Sequence, residues 1–245
     1  MGILEGEKVS KNFDGLAALH DVDFDINQGE VVGLIGPNGA GKTTLFNLIS
    51  GSLKATSGEI RYKGEKITSM KPHQICRLGI GRTFQSVQLF GKMSVLDNVF
   101  LGAMCGTETR PSTPDAKKKA MALLELVGLS DKKSELAKNL PIAEQKHLEI
   151  ARALATEAEL LLLDEAMAGL TQTELAVSTA LIKKMQNEGT TIFIVEHVMQ
   201  AIMALCDRII VLNYGVKIAE GEPKEIVADK KVIEVYLGTD GYAEN

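Results

Sequence analysis

The sequence predicts an α/β fold that combines a mostly parallel sheet core, an antiparallel β subdomain and a helical subdomain. Three observations predict it. Residues 4–26 alternate apolar and polar side chains in short runs, as antiparallel strands do. The middle of the chain spaces Leu and Ala at the helical interval of three to four residues. The last part alternates apolar runs with helix-like segments, which is typical of parallel strands joined by crossover helices.

The first part of the chain is expected to hold strands and one helix. The opening strands are expected to turn at Asp14-Gly15, because Asp-Gly between alternating runs is a strong hairpin signal. Residues 30–35, EVVGLI, are β-branched and apolar and predict a buried strand. Residues 41–50 have helical spacing, and residues 58–67 predict a second hairpin.

The remaining elements form a helical stretch and then an alternating one. Helices are predicted over residues 117–127 and 142–155, after a surface loop at residues 110–114. The alternating elements that follow are a strand at 159–163, a helix at 172–188, a strand at 190–195, a helix at 198–205 and strands at 208–212 and 216–220.

We expect a single domain to span residues 1–245, a length that suits one large α/β domain. Within it, residues 1–85 and 157–245 are expected to form the core with its antiparallel part, and residues 86–156 the helical subdomain. The tail, residues 223–245, predicts a helix followed by a frayed end.

Charge and hydropathy exclude several classes of protein. The net charge of -5 lacks the basic footprint of a nucleic-acid-binding protein. No apolar run approaches the roughly 18 residues that span a bilayer, and the N-terminus lacks the layout of a signal peptide. The three cysteines are isolated, so neither a metal site nor a disulfide framework is predicted. We therefore expect a cytoplasmic chain that binds no nucleic acid.

A glycine-rich loop follows the predicted strand at residues 30–35. It reads GPNGAGKT and fits the pattern G-x-x-x-x-G-K-[ST], in which backbone amides surround a phosphate, Lys42 reaches the terminal phosphates and Thr43 offers a hydroxyl to Mg²⁺. The strand before it and the helix after it are the context that this motif requires. The loop by itself does not distinguish ATP from GTP. The predicted nucleotide-binding residues of this segment are Gly36, Pro37, Asn38, Gly39, Ala40, Gly41, Lys42, Thr43 and Thr44.

Two acidic residues follow the most apolar run of the chain. Four leucines, residues 160–163, lead directly into Asp164 and Glu165. A buried strand that ends in carboxylates delivers them to the edge of the sheet where α/β folds bind ligands. Asp164 is predicted to hold Mg²⁺ through water, and Glu165 to orient or deprotonate the attacking water.

Together these motifs resemble the ATP-binding-cassette ATPases, and the resemblance covers nearly the whole chain. Phe13 matches the aromatic residue that stacks on adenine in that family. Gln85, in GRTFQ, matches the glutamine that reaches Mg²⁺ and the attacking water. His197, in TIFIVEHVM, matches the histidine that contacts the terminal phosphate. The resemblance thus implies ATP and Mg²⁺ as cofactors, with Thr43, Gln85 and Asp164 around the metal.

The segment that corresponds to the family's Leu-Ser-Gly-Gly-Gln signature differs from it. In the family this segment closes over the nucleotide of a partner subunit. Proline has no N–H and no hydroxyl, but it suits the first turn of a helix, so we expect the following helix to persist. Two interpretations stay open: a tolerated variant, or a weakened composite site that a partner with an ordinary signature compensates. The signature residues here are Leu140, Pro141, Ile142, Ala143 and Glu144.

A second departure lies after the acid pair. Residues 168–171 fit the family's D-loop, but Thr171 stands where Asp or Asn is usual, and Ala166 stands where a proline commonly follows the acids. Because Thr171 differs from the family pattern, it is open whether two ATP sites communicate through this segment.

Several segments are similar to one branch of the family, the ATPases of branched-chain amino-acid importers: GRTFQSVQLFGKMSVLDNV, LEIARAL, DRIIVLNYGVKIAEGEPKEI and VIEVYLG. This similarity implies a second cassette subunit, identical or different, membrane-spanning permease subunits and a solute-binding protein outside the membrane. It also implies a location on the inner face of the cell membrane.

Three alternatives to this function remain. A soluble cassette that acts on DNA or the ribosome usually has tandem cassettes or basic extensions, which this sequence lacks. A regulatory cassette without hydrolysis is suggested by the altered signature, whereas Glu165 and His197 argue against it. The cassette of a lipid or glycolipid exporter is the third. A kinase or GTPase is disfavoured because no Asn-Lys-x-Asp stretch is present.

Overall fold

The computed structural model describes residues 2–106 and 111–237. They fall into two compact units, the first up to Pro72 and from Phe193 onward, the second from His73 to Ile192. The strands of the described ranges are β1 (Gly2–Phe13), β2 (Leu16–Asn27), β3 (Val31–Ile35), β4 (Ser57–Tyr62), β5 (Glu65–Lys66), β6 (Ile80–Arg82), β7 (Leu160–Asp164), β8 (Thr191–Val195), β9 (Arg208–Asn213) and β10 (Val216–Gly221). Their α-helices are α1 (Lys42–Ile49), α2 (Pro72–Arg77), α3 (Val95–Cys105), α4 (Thr113–Leu126), α5 (Ile142–Ala155), α6 (Gln172–Asn187), α7 (Met199–Leu205), α8 (Pro223–Ala228) and α9 (Lys230–Leu237).

The first unit contains the predicted antiparallel sheet, with strand order β2-β1-β4-β5. β1 and β2 are joined at Asp14 and Gly15, whose φ angles of 38° and 97° are both positive. Two positive φ angles are what the two-residue turn of a right-twisted hairpin requires, and Asp-Gly tolerates them. The predicted turn is therefore confirmed, and the alternating pattern buries Val22, Phe24 and Ile26 on one face of β2.

The same unit contains a second sheet, in which β3 lies between β9 and β8. β3 and β9 are parallel, and every residue of β3 is buried, as its apolar sequence predicts. β10 is antiparallel to β9 because only the short Tyr214-Gly215 turn separates them. Phe193 of β8 packs at 5.1 Å from Phe46 of α1, measured between ring centroids. This packing fixes α1 at the end of β3.

The second unit pairs β6 and β7 in parallel and packs helices α3, α4 and α5 against one another. The predicted buried strand after residue 159 and the predicted helix at 142–155 are confirmed. The predicted loop at 110–114 is wrong in its second half, because α4 already begins at Thr113. Ser112 caps that helix by accepting a hydrogen bond from the Asp115 amide. Arg110 lies outside the described residues.

The described part of the tail forms two helices rather than the one predicted. α8 ends at Ala228, and Asp229 has the extended ψ of 120°. Its carboxylate accepts a hydrogen bond from the Lys231 amide at 2.7 Å and so starts α9, which is how an N-cap residue acts. The predicted frayed end, residues 238–245, lies outside the described residues. None of the described helices combines the length and apolar character needed to cross a membrane.

Candidate nucleotide and catalytic site

The glycine-rich loop joins the end of β3 to the start of α1 in the first unit. Gly36, Gly39 and Gly41 have φ angles of 151°, 80° and 104°, a region that side chains disfavour. At Gly36 space is also limiting, since a Cβ there would lie 2.1 Å from the Leu212 carbonyl oxygen. The tight curl of the loop therefore depends on glycine at these positions, which explains why the motif has glycines at this spacing.

Lys42 begins α1 and folds back over the loop. Its ammonium donates hydrogen bonds to the carbonyl oxygens of Gly36 at 2.6 Å and Pro37 at 3.0 Å, and the residue is 7% exposed. Thr43, beside it, is exposed, and Thr44 is half-buried. A positive charge held against a glycine-rich loop, next to an accessible hydroxyl, suits phosphate and divalent-cation binding.

Two other predicted residues belong to this first unit. Phe13 ends β1 and is 42% exposed, with the Lys11 ammonium 4.9 Å from its ring centroid. His197 follows β8, is exposed, and its backbone amide donates to the buried Glu196 carboxylate at 3.3 Å. Stacking on a base requires an accessible ring, as Phe13 has. Contact with a phosphate requires an accessible imidazole, as His197 has.

Asp164 ends β7 in the second unit and is 2% exposed. It accepts a hydrogen bond from the Arg82 guanidinium at 3.0 Å, and its amide donates to the Thr83 hydroxyl at 3.2 Å. Buried carboxylates need such partners because an unpaired charge is costly in a low-dielectric interior. Sequence reasoning missed Arg82; its signal was a charged residue inside the short apolar run that leads to Gln85.

Glu165 and Gln85, predicted from distant parts of the sequence, are brought together. The Gln85 amide nitrogen donates to the Glu165 carboxylate at 3.0 Å. Glu165 has a φ of 51°, the left-handed region in which non-glycine residues are uncommon. Lys146 of α5, also missed from the sequence, donates to the Glu165 backbone carbonyl at 3.1 Å. In the second unit, Glu165 therefore has a strained backbone, is partly exposed and lies beside the side-chain amide of Gln85.

The altered signature still leads into a helix. α5 begins at Ile142, directly after Pro141, so the prediction that the helix persists is confirmed. Ile142 is 52% exposed, whereas Ala143 is buried. Glu144 in the first turn accepts a hydrogen bond from the Lys132 ammonium at 2.6 Å, and a carboxylate there also suits the positive end of the helix dipole.

Thr171, the unusual D-loop residue, caps the next helix. Its hydroxyl accepts a hydrogen bond from the Glu174 amide, and the Glu174 side chain accepts one from the Thr171 amide. This reciprocal capping box satisfies two backbone donors at the start of α6. Threonine therefore serves here as a helix cap, a role that Asp and Asn can also fill.

A protein-family model described as "ABC transporter" matches residues 19–168. The chain belongs to the ATP-binding-cassette transporter family. A second model, "Branched-chain amino acid ATP-binding cassette transporter", matches residues 216–242 of this cassette. As a member of the family it is an ATP-binding ATPase whose hydrolysis is coupled to transport, which confirms the predicted activity and excludes a kinase or GTPase.

Curated relatives are similar along almost the full length of this cassette. The high-affinity branched-chain amino acid transport ATP-binding protein LivG of Salmonella typhimurium is 39% identical, over 92% of this chain and 94% of its own. The corresponding protein BraF of Pseudomonas aeruginosa is 38% identical, over 96% of this chain and 98% of its own.

Solved structures confirm the predicted fold class, a cassette with a mixed sheet, an antiparallel sheet and helices. The ADP conformation of MJ1267, an ATP-binding cassette of an ABC transporter, has a TM-score of 0.90 and 33% identity over 97% of this cassette and 99% of that chain. A dimeric post-hydrolysis state of the cassette MJ0796, bound to ADP and phosphate, has a TM-score of 0.81 and 26% identity over 90% of this cassette and 98% of that chain.

Proposed function

We propose that this chain is the ATP-hydrolysing motor subunit of a multi-chain importer of branched-chain amino acids or related small solutes. The observation that carries the proposal is the similarity to LivG and BraF, which extends over 92% and 96% of the chain. The tail adds to it, since residues 216–242 match a model specific to branched-chain amino-acid cassettes. The whole chain, residues 1–245, would act as one cassette, with residues 86–156 as its helical subdomain.

The nucleotide would bind to residues 36–44, with its base on Phe13. Lys42 would exchange its carbonyl partners for phosphate oxygens, because an ionised acceptor makes the stronger hydrogen bond. By resemblance to the family, Mg²⁺ would be held by Thr43 and Gln85 and, through water, by Asp164, whose side-chain oxygens are the kind of ligand that Mg²⁺ takes. Bound there, the ion would offset the charge on the phosphates.

Hydrolysis would depend on Glu165. Its partly exposed carboxylate would accept a proton from the attacking water or orient it, and Gln85 at 3.0 Å would hold that carboxylate in place. His197 would donate to the terminal phosphate. Asp164 would be held in place by its ion pair with the Arg82 guanidinium, at 3.0 Å.

Transport would require further chains. Two cassettes would pair so that residues 140–144 of each close over the nucleotide of the other, with the N-terminus of α5 facing the phosphate. Permease subunits in the membrane and a solute-binding protein outside it would complete the transporter. The cassette would then lie on the cytoplasmic face of the membrane and bind no nucleic acid.

The first test is steady-state ATP hydrolysis by the purified chain with Mg²⁺, with Lys42→Ala as the background. A wild-type rate clearly above that background would show that two copies form working sites and that the altered signature is competent. Binding of ATP without turnover would instead indicate that a second kind of cassette or the permease is required.

The second test is transport itself. The chain would be reconstituted in vesicles with the permease subunits and binding protein that co-purify with it. Accumulation of labelled leucine, isoleucine or valine that depends on ATP and is lost in Lys42→Ala would support the proposal. Failure to co-purify with any membrane protein would favour a soluble or regulatory cassette, and movement of lipid would favour an exporter.

A further inference from the structure

The backbone of Glu165 is held in an unusual conformation. Its φ of 51° lies in the left-handed region, where a long side chain persists only if its surroundings determine the geometry. The Ala168 amide donates to the Glu165 carbonyl at 3.2 Å and closes a tight turn after β7. That turn directs the Glu165 carboxylate toward Gln85.

A buried lysine forms hydrogen bonds to the same turn. The Lys146 ammonium donates to the carbonyl oxygens of Glu165 at 3.1 Å and Ala168 at 2.6 Å. Lys146 is 8% exposed, so these bonds form with little water around them and are stronger for it. Glu149, one turn further along the same helix, lies close enough for its charge to interact with that of Lys146.

Lys146 also belongs to the helix that begins with the signature segment. α5 starts at Ile142, so Lys146 stands one turn after it, on a rigid element. A shift of α5 would therefore move the ammonium and, with it, the two carbonyls that define the turn. Within the second unit this is a direct covalent and hydrogen-bonded connection from residues 140–144 to Glu165.

We propose that Lys146 is a positioning residue that couples the signature helix to the catalytic glutamate of the same subunit. When the signature segment closes on a partner's nucleotide, Lys146 would bring the Glu165 turn into its productive geometry. When the segment withdraws, the turn would relax and hydrolysis would slow. This inference rests on the proposed catalytic role of Glu165.

The test compares Lys146→Met, which keeps the length and removes the donors, with Lys146→Arg, which keeps the charge and the donors. A matched control exists on the same helix. His147 is equally buried, at 8% exposure, but its ring pairs with the Ser178 hydroxyl at 2.8 Å rather than with the Glu165 turn. His147→Gln therefore measures the cost of altering a buried polar side chain of α5.

We expect Lys146→Met to lower kcat by about 10- to 100-fold, because a small misplacement of a catalytic group has effects of that size. KM for ATP should change by less than about 3-fold, since the nucleotide-binding loop is untouched. Lys146→Arg should recover much of kcat, and His147→Gln should stay close to the wild-type rate. Thermal unfolding of each variant checks folding, and Lys146→Leu, which also lacks donors, replaces Lys146→Met if the latter does not fold.

Glu165→Gln distinguishes a failure of the Lys146 positioning role from a failure of the proposed catalytic role of Glu165. If the two residues act as one unit, adding Lys146→Met to Glu165→Gln should lower the rate little further. A wild-type rate for Glu165→Gln would overturn the catalytic assignment itself. An inactive Glu165→Gln together with Lys146→Met no slower than His147→Gln would overturn the positioning role alone, as would a double variant in which the two losses add in full.

Discussion

Asp164 and Glu165 are adjacent in sequence but differ in their surroundings. Asp164 is almost fully buried and paired with Arg82, whereas Glu165 is half-buried, has a left-handed backbone and contacts the Gln85 amide. A carboxylate fixed by an ion pair suits a constant electrostatic role. A partly exposed carboxylate on a strained turn suits contact with water. The environment of each side chain is the one that its proposed role requires.

Replacing Glu165 by Gln should lower kcat about 10²- to 10⁴-fold, the usual cost of losing a general base. ATP binding should persist, because the variant leaves residues 36–44 intact. Steady-state hydrolysis and nucleotide titration measure the two effects. Glu159→Gln, directly before the first residue of β7, is the matched control and should keep the wild-type activity. A Glu165→Gln rate close to wild type would contradict the assignment.

His147 should make stability depend on pH. Burial lowers the pKa of His147 below its ordinary value of 6.5, so the folded state resists a proton that the unfolded chain accepts. Because the unfolded state binds more protons below that value, the free energy of unfolding should fall as the pH falls through it.

The stability effect is measured by urea unfolding from about pH 7.5 down to about pH 5.5, where the linkage relation places it. The advantage of wild type over His147→Gln should shrink toward the acid end. Ser178→Ala, which keeps the imidazole, should retain the pH dependence. Parallel stability curves for wild type and His147→Gln would show that His147 does not contribute.

At the scale of elements, α5 connects three functional segments of the second unit. It begins at the signature, holds the Glu165 turn through Lys146, and accepts a hydrogen bond from the Gln88 amide on Glu149 at 2.9 Å. Burial raises the pKa of Glu149 above its ordinary value, because the cost of desolvating the carboxylate outweighs the lowering effects of that hydrogen bond and of Arg152. A helix that binds both neighbouring segments can move them as one body.

Glu149→Ala should release the segment after Gln85 from α5. Amide hydrogen exchange in residues 84–90 should become faster by about 10-fold or more, because local opening no longer breaks a buried hydrogen bond. Glu149→Gln keeps an acceptor oxygen and should retain most of the protection. Exchange in Glu149→Ala that equals wild type at these amides would show that the bond does not order the segment.

At the scale of the whole molecule, the cassette family predicts a nucleotide-dependent dimer, and the similar cassette MJ0796 has been solved as one. Glu165→Gln should bind ATP without consuming it and so accumulate in the closed form. Light scattering should then show a doubling of mass on addition of ATP and Mg²⁺. The double variant with Lys42→Ala should stay monomeric, and so should Glu165→Gln with ADP.

The alternative outcome of that experiment is informative about the signature. If Glu165→Gln binds ATP and remains monomeric, identical subunits do not close on ATP, and Pro141 and Ile142 are the first residues to test. The double substitution Pro141→Ser and Ile142→Gly, which introduces the residues usual in the family, should then recover the dimer. If it does not, a different cassette is the natural partner.

The sequence predicted most elements because their signals are local. The turn at Asp14-Gly15, the buried strand β3 and the helix α5 each follow from periodicity and turn chemistry within a dozen residues. α3 was missed because its apolar residues lie among glycines and short apolar runs that fit no single period. α4 was predicted to start too late because Ser112-Thr113-Pro114 suits both a loop and a helix start, and only the capping bond to Asp115 decides.

By itself, the sequence determined the glycine-rich loop, the acid pair and the family, because these depend on adjacent residues with fixed spacing. Only the tertiary structure decided which distant side chains act on them: Arg82 on Asp164, Gln85 and Lys146 on Glu165, and Glu149 on the Gln88 amide. Such pairs form between segments separated by tens of residues, and no local propensity encodes them. They arise when strands and helices pack and a buried charge must find a partner, which is a property of the folded chain.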